Sequence, residues 1–311
     1  MRRLACALGI LIILASAGIG LLRASPGMTR QSMLLALLSL LGTLPFGLLL
    51  VAWLAGAWSP AEVGALADSH AALGLIGWVG LLVIGAAYRV VPMLQVTPDY
   101  PGWLTRTLGT ALALSLAVWL CARLMDWPVA GDIASLGVSA VLAWFALTTL
   151  NILARRRRKQ GDATLHYWRL SMVSLLACAL LGGLLAVLPG DRSESMQLLV
   201  GMLFLLGFAM SVINGMLLKV VPFLAWFHLQ AQVGMRRTGL ANMKDFFPDH
   251  VARRYFHLHL AALALLLPSP WLAWLAIPGG LFLAASALVL EFQLLRAYRL
   301  FRAQGGNALQ R

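Results

Sequence analysis

Residues 69–94 read SHAALGLIGWVGLLVIGAAYRVVPML, and between His70 and Arg89 there is no charged side chain. Those 18 residues reach about 27 Å as an α-helix, close to the thickness of a bilayer's hydrocarbon core. A membrane β-strand would instead alternate polar and apolar residues over about ten positions, so the run reads as a transmembrane helix. Its closing phrase returns once. Ala87 to Leu94 is AYRVVPML and Leu217 to Leu224 is LLKVVPFL, each with a cation before Val-Val-Pro.

Working outward, the rest of the chain has the same character. Of 311 residues, 61% are hydrophobic and 11% charged, and the mean hydropathy is +0.85. No water-soluble domain has this composition. Repeated apolar runs predict nine helices, at roughly 4–22, 33–57, 70–92, 104–125, 132–154, 166–188, 197–222, 249–268 and 271–300. The expected fold is an all-α polytopic transmembrane bundle. No linker divides it, so residues 1–311 read as one integral membrane domain.

The net charge of +13 is explained by topology. With the N-terminus outside, 20 of the 24 Lys and Arg residues fall in inner loops or the tail, among them the run Arg155-Arg156-Arg157-Arg158-Lys159. Only Arg2, Arg3, Arg123 and Arg192 stay outside. This is the positive-inside pattern of a multi-pass protein of the bacterial inner membrane with a cytoplasmic C-terminus. The partner it implies is the lipid bilayer, not nucleic acid. Met1-Arg2-Arg3 and the apolar run after it also read as a signal peptide. Arg23-Ala24-Ser25-Pro26 is a poor cleavage site, so residues 1–22 are read as a helix, and whether they are retained stays open.

The repeated phrase points to duplication. Aligning 81–94 with 211–224 matches Gly85 with Gly215, Val90 with Val220, Val91 with Val221, Pro92 with Pro222 and Leu94 with Leu224, with Arg89 against Lys219. Four helices separate the copies, an even number, which predicts parallel repeats of helices two to five and six to nine. The division expected is an extra N-terminal helix over 1–30, one repeat over 31–160 and the other over 161–311. Arg89 and Lys219 are expected to snorkel at the inner interface. A cation and a proline at an inner helix end are also common in their own right.

Certain residues stand out against the apolar background. His70, Gly74, Gly77, Gly85 and Tyr88 share one helix face, leaving it nearly bare. Such a face admits either a closely packed helix or a flat ligand beneath His70. Phe204, Gly207, Ser211 and Asn214 likewise share a face, and the Asn214 amide is expected to point into the bundle. His166, His228, His250, His257 and His259 fall near the inner surface without metal-ligand spacing. No Asp or Glu lies mid-membrane, so a buried carboxylate relay is not expected. Cys6, Cys121 and Cys178 lie in separate runs, and no motif identifies a catalytic residue.

The run His70-Ala71-Ala72-Leu73-Gly74-Leu75-Ile76-Gly77-Trp78, with Asn214-Gly215-Met216 and Pro222 to His228, resembles small bacterial membrane proteins related to heme-copper oxidase subunit I and to NnrS-type nitric-oxide-response proteins. The resemblance covers about a quarter of the chain. Such proteins commonly carry His-x-His at the first of these sites, where this chain has Ala72 in the second position. It implies heme as cofactor, or copper, with His70 as ligand and His228 and His259 as further candidates. Gly74, Gly77, Tyr88 and Asn214 would line the site. The role implied is heme or metal binding in a respiratory or nitric-oxide-related context, short of a complete oxidase, with a respiratory-chain or maturation partner. The alternatives are a small-solute permease and a ligand-free assembly or scaffold protein.

Overall fold

The computed structural model describes residues 2–59, 62–157, 161–188, 193–233 and 240–306, without the side chains of 2–8, 10, 11, 13 and 233. Of the cations behind the charge argument, the Arg2 and Arg3 side chains and Arg158, Lys159, Arg192, Arg236, Arg237 and Arg311 lie outside the described residues, as does the Cys6 side chain. Among the described residues there is no strand.

The helices are α1 (Arg2–Arg23), α2 (Met28–Leu54), α3 (Val63–Ala72), α4 (Leu81–Gln95), α5 (Gly102–Leu124), α6 (Pro128–Ala154), α7 (Ala163–Val187), α8 (Glu194–Met202), α9 (Ser211–Val233), α10 (Met243–Phe246), α11 (Asp249–Leu266) and α12 (Ala276–Ala303). A π-helical turn over Leu73–Gly80 joins α3 to α4, and a second over Leu203–Met210 joins α8 to α9. The two start 130 positions apart. Among the described residues, seven helical segments are long and apolar enough to cross a membrane: Met28–Leu54, Val63–Gln95, Gly102–Leu124, Pro128–Ala154, Ala163–Val187, Glu194–Gln232 and Ala273–Ala303. The chain is a multi-pass membrane protein. Leu114, Leu180 and Leu281 are each more than 60% exposed, which is costly in water and ordinary against lipid. The other two expected spans are α1 and α11; α11 is made more polar by Asp249, His250, Arg253, Arg254, His257 and His259.

Pro92 and Pro222 do not end their helices. α9 runs on to Val233, 11 residues beyond Pro222. A proline inside a membrane helix is tolerated where neighbouring helices satisfy the carbonyl it leaves unbonded.

The chain forms two compact units, residues 1–157 with 175–191, and residues 158–174 with 192–311. In the first unit α2 packs on α3, the π-turn, α4 and α5, and α5 pairs with α6. Glycine lets α2 approach closely. A Cβ on Gly77 would lie 2.7 Å from Ser39 Cβ, and one on Gly85 2.9 Å from Ser32 Cβ. Tyr100, between α4 and α5, stacks on Phe145 at 6.4 Å and donates to Thr149 Oγ1 at 3.0 Å. Burial holds its phenol well above the ordinary pKa, against the opposing effect of that hydrogen bond.

In the second unit α11 pairs with α12, and α9 and α10 pack on α12. The start of α7 meets α9 through the same device. A Cβ on Gly207 would lie 2.6 Å from Ser174 Cβ, and one on Gly215 2.7 Å from Tyr167 Cβ. Gly77 and Gly85 thus correspond to Gly207 and Gly215, and Ser39 and Ser32 to Ser174 and Tyr167. Ala163, Tyr167, Leu218, Phe247, Ala252 and Tyr255 form one core. Phe246 packs with Leu229, Ala241, Ala297 and Phe301 in another.

The two cations of the recurring phrase have different fates. Arg89 is exposed, as snorkelling requires. Lys219 is instead largely buried and pairs with Asp162 Oδ2 at 2.9 Å. Asp162 also caps α7, its Oδ1 accepting from the Leu165 N–H at 2.9 Å.

Candidate functional site

A π-turn widens a helix and loosens the register of its hydrogen bonds. In the second unit, Ser211 fills the place that opens: its hydroxyl donates back five residues to the Leu206 carbonyl at 3.3 Å. From α11, His259 brings Nε2 within 2.8 Å of the same hydroxyl. With the Ser211 proton given to Leu206, a His259 protonated on Nε2 completes that contact and leaves Nδ1 as an acceptor. Ser211 and His259 are both 0% exposed.

Around this pair the interior is polar. Asn214 lies three residues after Ser211 and Leu218 seven, so all three share one face of α9, and Leu218 packs with Tyr167 and Tyr255. The rings of Tyr167 and His259 are 5.5 Å apart, as are those of Tyr167 and Tyr255. The Tyr255 hydroxyl lies within hydrogen-bonding reach of those of Ser286 and Tyr167. Asn214 Nδ2 and His259 Nδ1 are buried without a partner. An unsatisfied buried polar group costs ~1–3 kcal/mol, and several in one place call for water or a ligand. Among the described residues, no charged side chain belongs to this focus.

The corresponding positions in the first unit are closed with apolar residues. Leu81 stands for Ser211 and Ile84 for Asn214, and both are 0% exposed. Leu116 covers the π-turn there, its Cδ2 3.0 Å from where a Gly77 Cβ would be. The backbone device therefore does not require polar residues.

His70 lies in the first unit. Its ring sits over Gly47, where a Cβ would come within 2.9 Å of Cε1, and its Nδ1 donates to the Thr43 carbonyl at 3.1 Å. This tautomer leaves Nε2 available as a ligand nitrogen, the arrangement usual in metal-bound histidines. The bare face beneath is not open, however. Thr43 Cγ2 is 3.5 Å from a Cβ position on Gly74, and Ser39 covers Gly77. Of the two expectations for the glycine stripe, α2 realises the closely packed helix, and a porphyrin does not fit on Gly74 and Gly77. Tyr88 is buried edge-to-face on Tyr100, ring centroids 5.4 Å apart, and lines no open face. His228 is exposed and donates through Nδ1 to the Leu224 carbonyl at 2.8 Å. It follows Ser211 by 17 residues on α9, about 25 Å along the axis, so it does not converge with His259. Among the described residues no three His, Cys, Asp or Glu side chains gather as a metal site.

Of the expected site residues, Asn214 and His259 belong to the polar focus; Gly74, Gly77 and Tyr88 are packing residues, and His228 stands apart. Tyr167, Tyr255 and Ser286 were not anticipated, because tyrosine or serine in an apolar run gives no sign of which helix it will face. Compared with known proteins, the chain matches no family model, no curated protein and no solved structure.

Proposed function

We propose that this multi-pass membrane protein is a permease for a small uncharged solute, which it binds within the bilayer at Ser211, Asn214, His259, Tyr167 and Tyr255. The observation that carries this reading is the contrast at the two π-turns. One is sealed with Leu81 and Ile84, and the other holds Ser211, bonded to Leu206 and His259, beside an Asn214 Nδ2 that has no partner. Helices interrupted at matching positions of two halves are the usual site of solute binding in transporters. Polar groups inside a membrane segment are costly and mark such paths.

The inventory of the focus limits the solute. Asn214 Nδ2 needs an acceptor and His259 Nδ1 a donor, while the tyrosine hydroxyls serve as either. A small amide or alcohol satisfies both, and an ion would find no countercharge. Proteoliposomes containing the full chain test this with labelled urea, acetamide and glycerol. Entry above that of protein-free vesicles, lowered about tenfold by His259→Leu (about 1.4 kcal/mol in the barrier), is the expected result. Equal entry with and without protein for all three would overturn the reading.

Ligation of heme iron or copper by His70 is a second reading, favoured by its Nδ1 hydrogen bond to Thr43. The residues present offer one nitrogen and no porphyrin bed. A Soret band in protein made with ample heme, lost in His70→Ala, supports it; absence of the band dismisses it.

A further inference from the structure

At one end of the second unit, the beginnings of α7 and α11 enclose a cleft of about 580 Å³ lined by Gly161, Ala163, His166, Arg253, Phe256 and His257. Its polar lining is basic. Arg253 and His257 stand four apart on α11 and share a face, and His166 reaches from α7, its ring 5.6 Å from that of Phe256. Arg169, Arg253 and His257 all lie within electrostatic reach of His166. The one acid also near it, Asp162, is engaged by Lys219 and by the Leu165 N–H. Asp249, one turn before Arg253, makes no ion pair with it among the described residues.

We infer that this cleft binds a phosphate group, that of an anionic lipid headgroup or a free phosphate. Arg253 supplies the planar fork that phosphate recognition uses, and Arg169, near His166 though not part of the lining, adds positive charge. Phe256 gives the cleft an apolar wall against which a glycerol backbone or acyl stem packs. Basic clefts at helix ends are where membrane proteins hold anionic headgroups. The cleft shares no lining residue with the uncharged focus, which it adjoins where Phe256 packs on Tyr167 at 5.0 Å, and its test does not depend on the permease reading.

The test uses the full chain in neutral detergent, with thermal unfolding followed as phosphatidylglycerol, phosphatidylcholine or inorganic phosphate is added. Phosphatidylglycerol, and not phosphatidylcholine, is expected to raise the midpoint. Arg253→Gln should weaken the apparent affinity about fivefold, and Arg253→Gln with Arg169→Gln should weaken it further. Arg254→Gln, the neighbour outside the cleft, should leave it unchanged. Inorganic phosphate giving the same shift, with the same sensitivity to Arg253, assigns the cleft to a soluble phosphate. No shift with either phosphate, or a shift equal in wild type, Arg253→Gln and the double variant, overturns the inference. Should Arg253→Gln prove unstable, Arg253→Lys with His257→Gln is read in its place, with the same outcomes.

Discussion

Asn214 is an amide between Ile213 and Gly215 in a segment rich in leucine, valine, methionine and phenylalanine, and its buried Nδ2 has no protein partner. A group of this kind raises the energy of the folded state unless something binds it. Replacing it with the residue type found at the matching position of the first unit separates structure from function. Asn214→Ile is expected to leave the thermal midpoint equal or higher, by ~1 kcal/mol of stability, while solute entry falls to the protein-free level. Unfolding and uptake measured on the same preparation check this, and a lower midpoint with unaltered uptake would count against it. Gly77 belongs to the opposite class. Its missing side chain is what lets Ser39 approach, so Gly77→Leu should prevent folded protein from accumulating, whereas Gly74→Ala, with its nearest neighbour at 3.5 Å, should be tolerated. Fluorescence-detected size exclusion distinguishes the two. Asn214 was legible in the sequence because a lone amide in an apolar run has few places to go. His259 was less so, since its partner Ser211 lies 48 positions away.

Elements carry the next part of the account. The helices could be read from the sequence nearly to their ends because a bilayer demands about twenty continuous apolar residues and no soluble core does. The π-turns could not, because an extra residue in a helix changes neither composition nor hydropathy. Their position matters all the same. Each presents the residues that follow it on a face set by the widened turn, and in the second unit those residues are Ser211 and Asn214. Removing Leu205, which is exposed, should restore regular helical register and close the place that Ser211 fills between the Leu206 carbonyl and His259. The expected outcome is a variant with unchanged helical content by circular dichroism and no solute entry. Unchanged entry would separate the π-turn from function. The prolines misled for a related reason. Pro222 reads as a stop signal by the rules for soluble helices, but in the bilayer the helix continues past it to Val233.

For the whole molecule, the charge distribution and the lipid-compatible surface both follow from residence in a membrane. Positive-inside placement predicts that a C-terminal fusion to green fluorescent protein is bright and one to alkaline phosphatase inactive in a bacterial host; the reverse pair of results would invert the topology. The expectation of a duplication rests on the five residues shared around the two Val-Val-Pro phrases. Close contacts at matching positions accord with it. Ser39 on Gly77 and Ser32 on Gly85 are repeated by Ser174 on Gly207 and Tyr167 on Gly215, yet the serine and tyrosine partners share no motif to align. The phosphate cleft was hidden for another reason, since His166 and His257 come together only through tertiary packing. What distinguishes the two π-turns is the polar focus at the second, and the direct test of its occupancy is a cryo-electron microscopy map of the protein in lipid nanodiscs at a resolution that shows water. Non-protein density within hydrogen-bonding distance of both Asn214 Nδ2 and His259 Nδ1 is the predicted result. A dry focus, with those two atoms bonded to protein groups alone, would contradict the account.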